Sequence, residues 1–146
     1  MNTAKKLDNI LFIAWATSFI ATSSSLYFSE IMKYEPCTLC WYQRIFMYPL
    51  VIILGIAITN KDYKISTYSL ILSIIGISIS TYHYLMQKIP HLSNISTCGR
   101  IPCTGNYLNW FGFITIPFLC LIAFLIIIIC NTAIIKINKN IIKIKT

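Results

Sequence analysis

The stretch YEPCTLCWYQR, residues 34–44, contains two cysteines in a C-x-x-C arrangement, Cys37 and Cys40. Thiols this close together are suited to gaining and losing electrons by forming and breaking a disulfide. Pro36 suits the first turn of a helix, where its missing N–H costs nothing. Both cysteines would then lie near a helix N-terminus, where the dipole favours a thiolate. Arg44, four residues after Cys40, would share its helical face and stabilise that thiolate further.

The chain as a whole has the composition of a membrane protein. Of its 146 residues, 57% are hydrophobic and only 11% are charged, whereas a soluble domain carries about 25% charged residues. Four apolar segments, each near the ~20 residues that span a bilayer as helix, predict an all-α bundle of four transmembrane helices. They are residues 10–28, 41–59, 68–86 and 110–131, followed by a basic tail at 132–146. Lys5 and Lys6, before a first segment diluted by Ser and Thr, leave a cleaved signal peptide as an alternative for that segment.

The basic residues predict the orientation of the helices. Eight lysines fall on one side if the chain crosses the membrane four times: Lys5, Lys6, Lys61, Lys64, Lys136, Lys139, Lys143 and Lys145. Both termini are therefore predicted to be cytoplasmic, with the loops at 29–40 and 87–109 facing outward. The net charge of +8 is spread over short flanks, which favours a membrane surface as its partner and argues against nucleic acid.

This topology places four of the six cysteines on the outward side: Cys37, Cys40, Cys98 and Cys103. That side is the oxidising one, where disulfides form and persist. A disulfide between Cys98 and Cys103 closes a loop so short that it adds only about 2 kcal/mol of stability, so redox work is favoured over structural cross-linking. Zinc binding by four cysteines is disfavoured in this oxidising context, and no metal is predicted. Cys120 and Cys130 lie in the fourth apolar segment and are predicted to be small buried apolar side chains.

The order of several motifs resembles that of one known family. EPCTLCWYQR, then YP, YHYLMQ, a second cysteine pair and FGFITIP are similar to the DsbB family of quinone-dependent, disulfide-forming membrane proteins, over about residues 15–125. The resemblance implies a four-helix bundle in the bacterial cell (inner) membrane. It implies that the protein reoxidises a soluble, thioredoxin-like (DsbA-like) thiol oxidase on the outer face and passes the electrons to ubiquinone or menaquinone. Only GRIP separates the second cysteine pair, as in the compact, BdbC-like branch.

The resemblance also implies separate roles for the two pairs. Cys37 and Cys40 resemble the pair beside the quinone, with Cys40 as the thiolate next to the ring. Cys98 and Cys103 resemble the outer pair, with Cys98 attacked by the partner. This division is physically reasonable, because a quinone must be met in the membrane and a protein partner in water. Two pairs can relay electrons between them by thiol–disulfide exchange.

Two further residues are candidates for contact with the cofactor. Arg44 resembles the family's quinone-contacting arginine, and an arginine this close to lipid is costly unless it has a function. The alternative is that Arg44 extends to the lipid headgroups. His83 falls where the family places a histidine near the quinone. For His83 the alternative is a histidine whose polar atoms are satisfied inside the bundle.

Two other functional interpretations are compatible with this cysteine pattern. A vitamin K epoxide reductase-like protein shares four helices, two cysteine pairs and quinone chemistry. There the C-x-x-C comes late, in the last helix of the bundle, whereas Cys37 and Cys40 precede the second apolar segment. A non-enzymatic redox sensor or membrane assembly subunit would carry the same cysteines and reduce no quinone.

Overall fold

The computed structural model describes residues 3–33, 36–89 and 115–145. Four α-helices account for nearly all of these residues: α1 is Thr3–Glu30, α2 is Thr38–Asn60, α3 is Ile65–Lys88 and α4 is Ile116–Lys145. No strand occurs within these three ranges. Each helix is long and apolar enough to cross a membrane, which confirms the predicted all-α, four-helix membrane fold.

The helices form a closed ring in which α1 and α3 each pack against α2 and α4. The short connection 61–64 makes α2 and α3 antiparallel neighbours. Lys61 begins that connection in the left-handed conformation, with φ of 51°, and its N–H donates to carbonyls of the last turn of α2. Tyr63 donates a 2.7 Å hydrogen bond to Asp8 of α1. The start of α1 and the 61–64 connection therefore lie at the same end of the bundle.

The buried face of α3 differs from those of the other helices. The apolar core comes from α1, α2 and α4: Leu7, Leu11, Ala14, Met47, Leu50, Leu54, Ala57, Ala123, Phe124, Ile127 and Ile134. Along most of its length α3 instead buries small or polar residues: Ser66, Ser69, Ser73, Gly76, Ser80 and His83. Their spacing of three and four residues places them on one helical face. Small residues allow close approach of helices in lipid, where packing and polar contacts drive association.

Close contacts with α4 fix the rotation of α3 about its own axis. The ring of Phe124 lies so near Gly76 that a Cβ at this position would collide with it. Asn131 of α4 donates a 2.8 Å hydrogen bond to the Ser69 hydroxyl, and Ser73 donates its hydroxyl to the Ser69 carbonyl. With this rotation set, the same face of α3 presents His83 to the start of α2.

The last helix is longer than the apolar pattern indicates. It begins at Ile116 and continues to Lys145, so the basic tail predicted at 132–146 is a continuation of α4 as far as Lys145. Pro117 lies in its first turn, where a missing N–H leaves no helical bond unmade. Residues 110–114 of the predicted fourth segment lie outside the described residues.

Candidate redox site

The C-x-x-C pair lies where the chain enters α2. Cys37 is the residue before the helix, with an extended backbone (φ −69°, ψ 168°), and its carbonyl accepts the N–H of Trp41 at 3.1 Å. The thiol of Cys37 is buried and that of Cys40 half-buried. Both are free thiols whose sulfurs lie 3.1 Å apart. Because the helix begins at Thr38, Pro36 precedes the first turn instead of lying in it as predicted; the extended conformation of Cys37 delays the helix start.

His83 reaches this pair from the neighbouring helix. It is 1% exposed, and its Nε2 lies 3.6 Å from the Cys37 sulfur. The buried side-chain amide of Gln43 places its nitrogen 3.2 Å from His83 Nδ1. With this amide orientation Nδ1 accepts and Nε2 carries the ring hydrogen. That hydrogen then points at Cys37, where it can be donated to a thiolate.

The guanidinium of Arg44 is held by α1. Its Nε donates to Ser25 Oγ at 2.9 Å, its Nη2 to the Ser25 carbonyl oxygen at 3.1 Å, and its Nη1 to Ser29 Oγ at 3.4 Å. Its Cζ lies 5.8 Å from the centre of the Trp41 ring, within the range of a cation–π contact. These hydrogen bonds use three of the five guanidinium N–H groups. The other two N–H groups make no hydrogen bond to residues 3–33, 36–89 or 115–145.

Apolar side chains close the inner side of the pair. Leu39 and Met86 are buried together with Cys37, and Cys40 and Ile79 pack against them. Water is thereby kept from the Cys37 sulfur, while the half-buried Cys40 retains access from outside. The sulfurs of both cysteines and a ring nitrogen of His83 also lie within 4.8 Å of one another, an arrangement of donors that can hold a metal ion.

Comparison with known proteins identifies the family of this chain. The family model for the disulfide bond formation protein DsbB matches residues 7–134. The chain belongs to the DsbB family. It is 60% identical over 140 residues to "Probable disulfide formation protein C 1" of Bacillus anthracis, covering 95% of this chain and 100% of that protein. It is 58% identical over 120 residues to "Disulfide bond formation protein C" of Bacillus subtilis, covering 82% of this chain and 87% of that protein. No solved structure gives a significant match.

Family membership makes the chain a membrane protein of disulfide bond formation and confirms the predicted resemblance, including its compact branch. The two thiols of the C-x-x-C pair are not equivalent. A hydrogen bond from Cys40 holds the pKa of Cys37 well below its ordinary value; burial opposes this shift, and the hydrogen bond from His83 supports it. Because the thiolate is the nucleophile in thiol–disulfide exchange, Cys37 is the readier nucleophile of the two. The assignment of Cys40 as the thiolate next to the quinone stays a prediction from the resemblance, and Arg44 is bonded to Ser25 of α1.

The remaining cysteines fall in two groups. Cys98 and Cys103, predicted to form the outer pair, lie outside the described residues. Cys120 and Cys130 lie on α4 as free thiols. Both are half-buried and pack against the core, a position that fits small apolar side chains in this DsbB-family bundle.

Three residues of the site were not singled out from the sequence. Gln43 follows Cys40 by three residues and therefore lies on nearly the same helical face, so a buried amide beside the pair could have been inferred from the motif itself. Ser25 and Ser29 are four residues apart on one face of α1. The run Ser23–Ser25 nevertheless offers no sequence signal that separates Ser25 from its exposed neighbours.

Proposed function

We propose that the protein reoxidises a soluble, thioredoxin-like thiol oxidase at the outer face of a bacterial cell membrane and passes the electrons through two cysteine pairs to a membrane quinone. The observation that carries the proposal is the dithiol at the end of the bundle, next to a guanidinium with two N–H groups that no described residue accepts. The partner's two thiols become a disulfide as the outer disulfide, Cys98–Cys103, is reduced. That pair in turn reduces the Cys37–Cys40 disulfide. A bound quinone would accept the resulting two electrons and two protons and leave as quinol.

The position of the site in the bundle supports this direction of transfer. The Asp8–Tyr63 hydrogen bond marks the end of the bundle that carries the lysine-rich start of α1 and the 61–64 connection. The dithiol lies at the other end of α2, whose 23 residues extend about 34 Å at 1.5 Å per residue. Lysine-rich ends remain in the cytoplasm. The dithiol would then lie at the outer edge of the membrane, within reach of both lipid and a soluble partner.

The chain's own residues would divide the chemistry as follows. Arg44, preorganised by α1, would bind a quinone oxygen with the two N–H groups that no described residue accepts. His83 has both ring nitrogens engaged, by Gln43 and Cys37, so we assign it to the thiol and not to the quinone. When the Cys37–Cys40 disulfide is attacked at Cys40, Cys37 leaves as a thiolate. The His83 Nε2–H stabilises that thiolate at the moment it forms.

The test combines the purified protein, a reduced thioredoxin-like oxidase and a soluble quinone, and follows quinone absorbance. We expect turnover that requires both cysteine pairs, because the relay is serial. Cys98→Ser should stop oxidation of the partner, whereas a Cys120→Ala/Cys130→Ala variant serves as the matched thiol control and should turn over nearly as fast as the parent. Correctly inserted protein that oxidises no partner and reduces no quinone would contradict the proposal and favour a redox sensor or assembly subunit.

A further inference from the structure

We propose that the reduced thiols of Cys37 and Cys40, together with His83, form a binding site for Zn²⁺ or a similar thiophilic divalent cation, and that a disulfide between the two cysteines abolishes this site. The ligand atoms of the three side chains all lie within 4.8 Å of one another. They come from the start of α2 and from α3, so the packed bundle creates the site. The proposal requires neither a quinone nor a partner protein and is therefore independent of the proposed function.

Two of the three donor–donor distances are close to those around a tetrahedral zinc ion, and the third is within 4.8 Å. Zn–S distances near 2.3 Å and Zn–N distances near 2.0–2.1 Å place two sulfurs about 3.8 Å apart, and a sulfur and a nitrogen about 3.5 Å apart. The two sulfurs of the pair are 3.1 Å apart, and Nε2 is 3.6 Å from the Cys37 sulfur. Binding would separate the sulfurs by about 0.7 Å, a movement that the half-buried Cys40 can make by a small side-chain rotation.

Charge and burial favour a dication at this position. Two thiolates and a neutral imidazole balance the +2 charge of the ion, so no net charge is buried. His83 is 1% and Cys37 6% exposed, and attraction between opposite charges is stronger where water is excluded. Three protein ligands leave a fourth coordination position for a water molecule. That water can reach the ion past the half-buried Cys40.

Gln43 can support His83 in either of its neutral forms. A metal-bound Nε2 carries no hydrogen, so Nδ1 carries it and needs an acceptor. The Gln43 amide lies 3.2 Å from Nδ1 and becomes that acceptor when it turns over to present Oε1. Without the metal, the orientation seen here leaves the hydrogen on Nε2, facing Cys37. Loss of such an outer partner lowers metal affinity about 10–100-fold.

The site would bind a metal ion only when Cys37 and Cys40 are reduced. The thiolate is the form of cysteine that binds metal, and a Cys37–Cys40 disulfide removes both thiolates together. A bound ion would in turn occupy both sulfurs and prevent them from undergoing exchange. Zinc would therefore hold the pair in its reduced form until it is withdrawn.

The test uses the full chain in detergent with Cys98 and Cys103 changed to Ser and Cys120 and Cys130 changed to Ala, so that Cys37 and Cys40 are the remaining thiols. Zinc alone is the probe, in competition with a colorimetric zinc chelator. We expect one zinc ion per reduced protein, and none once mass spectrometry shows the Cys37–Cys40 disulfide. Absence of binding to the reduced protein, or equal binding to both forms, would overturn the proposal.

Single substitutions in that background test the other ligands. Gln43→Leu should weaken zinc binding about 10–100-fold, Gln43→Glu should not weaken it, and His83→Gln should weaken it at least as much as Gln43→Leu. Thr81→Ala, at an exposed position of α3, is the matched control and should leave the affinity unchanged. An unaltered affinity in folded His83→Gln protein would refute the three-ligand site. Should His83→Gln protein not fold, alkylation of the parent background with the four cysteine substitutions is the deciding test. Bound zinc must protect both Cys37 and Cys40 from the alkylating reagent, and thiols that react in its presence refute the proposal.

Discussion

The hydrogen bonds between Arg44 and α1 should control the use of quinone. If Arg44 binds the quinone, Ser25 acts on the reaction by holding the guanidinium in place. Ser25→Ala removes the 2.9 Å bond to Nε but keeps the 3.1 Å bond from Nη2 to the backbone carbonyl. The guanidinium therefore stays near α1 but gains freedom to turn away from the quinone position.

The size of the effect follows from the bonds that remain. A hydrogen bond to a charged group contributes about 1.5–3 kcal/mol. The carbonyl contact and the Trp41 ring persist in Ser25→Ala protein. We therefore expect quinone binding to lose about 1 kcal/mol, less than a full hydrogen bond to a charged group contributes, which corresponds to about a fivefold rise in quinone KM. Ser29→Ala should have a smaller effect, because its 3.4 Å bond to Nη1 is long.

The assay is steady-state quinone reduction, with KM for the quinone, KM for the partner and kcat measured separately. Ser24→Ala is the matched control, since Ser24 is the exposed neighbour of Ser25 on α1. The Ser25→Ala effect should vanish in an Arg44→Met background, because residues that act through one another are not additive. A Ser25→Ala protein with unchanged quinone KM, or one whose loss persists in the Arg44→Met background, would refute the role assigned to this contact.

Three further predictions test other parts of the site. Arg44→Lys should raise quinone KM, because a charge remains but the planar guanidinium with its paired N–H donors is lost. Arg44→Met should raise quinone KM more. Neither substitution should prevent trapping of the mixed disulfide between Cys98 and the partner. His83→Ala should move the pH midpoint of Cys37 alkylation upward, because a bond that lowers the Cys37 pKa is removed; an unchanged midpoint would contradict the contact. Gly76→Ala should destabilise the bundle by about 1–3 kcal/mol through overpacking against Phe124, measured by denaturation in mixed micelles with exposed Ser78→Ala as control; an unchanged stability would contradict that packing.

The helices themselves were predictable because lipid imposes their length and composition. An apolar segment of about 20 residues has few alternatives to a membrane-spanning helix. The position of the C-x-x-C at the start of α2 followed from the break in hydrophobicity before Trp41 together with Pro36. The far end of α4 was not predictable in this way, because its lysines resemble a flanking segment although the helix continues through them to Lys145.

Contacts between helices were harder to predict, because they depend on the rotation of each helix about its axis. In water the apolar side of a helix marks its buried face, but in a membrane both the lipid and the core are apolar. The sequence around Arg44 therefore does not reveal that its partner is α1. The proximity of His83 to Cys37, 46 residues apart, likewise depends on how α3 turns against α2.

One signal of that rotation is present in α3, and it explains how the histidine is brought to the dithiol. The buried serines, Gly76 and His83 recur along one side, so the helix has a polar and small-residue face although its other sides are mostly apolar. Gly76 and His83 are seven residues apart, almost two full turns and about 10 Å along the axis. A side chain at position 76 would push against Phe124 and turn or displace α3. Because Gly76 and His83 share this face, Gly76→Ala protein that still folds should show the same upward shift in Cys37 alkylation pH as His83→Ala, to a smaller extent. A destabilised Gly76→Ala protein with parental alkylation behaviour would show instead that α2, and not the packing of α3 on α4, holds the imidazole in place.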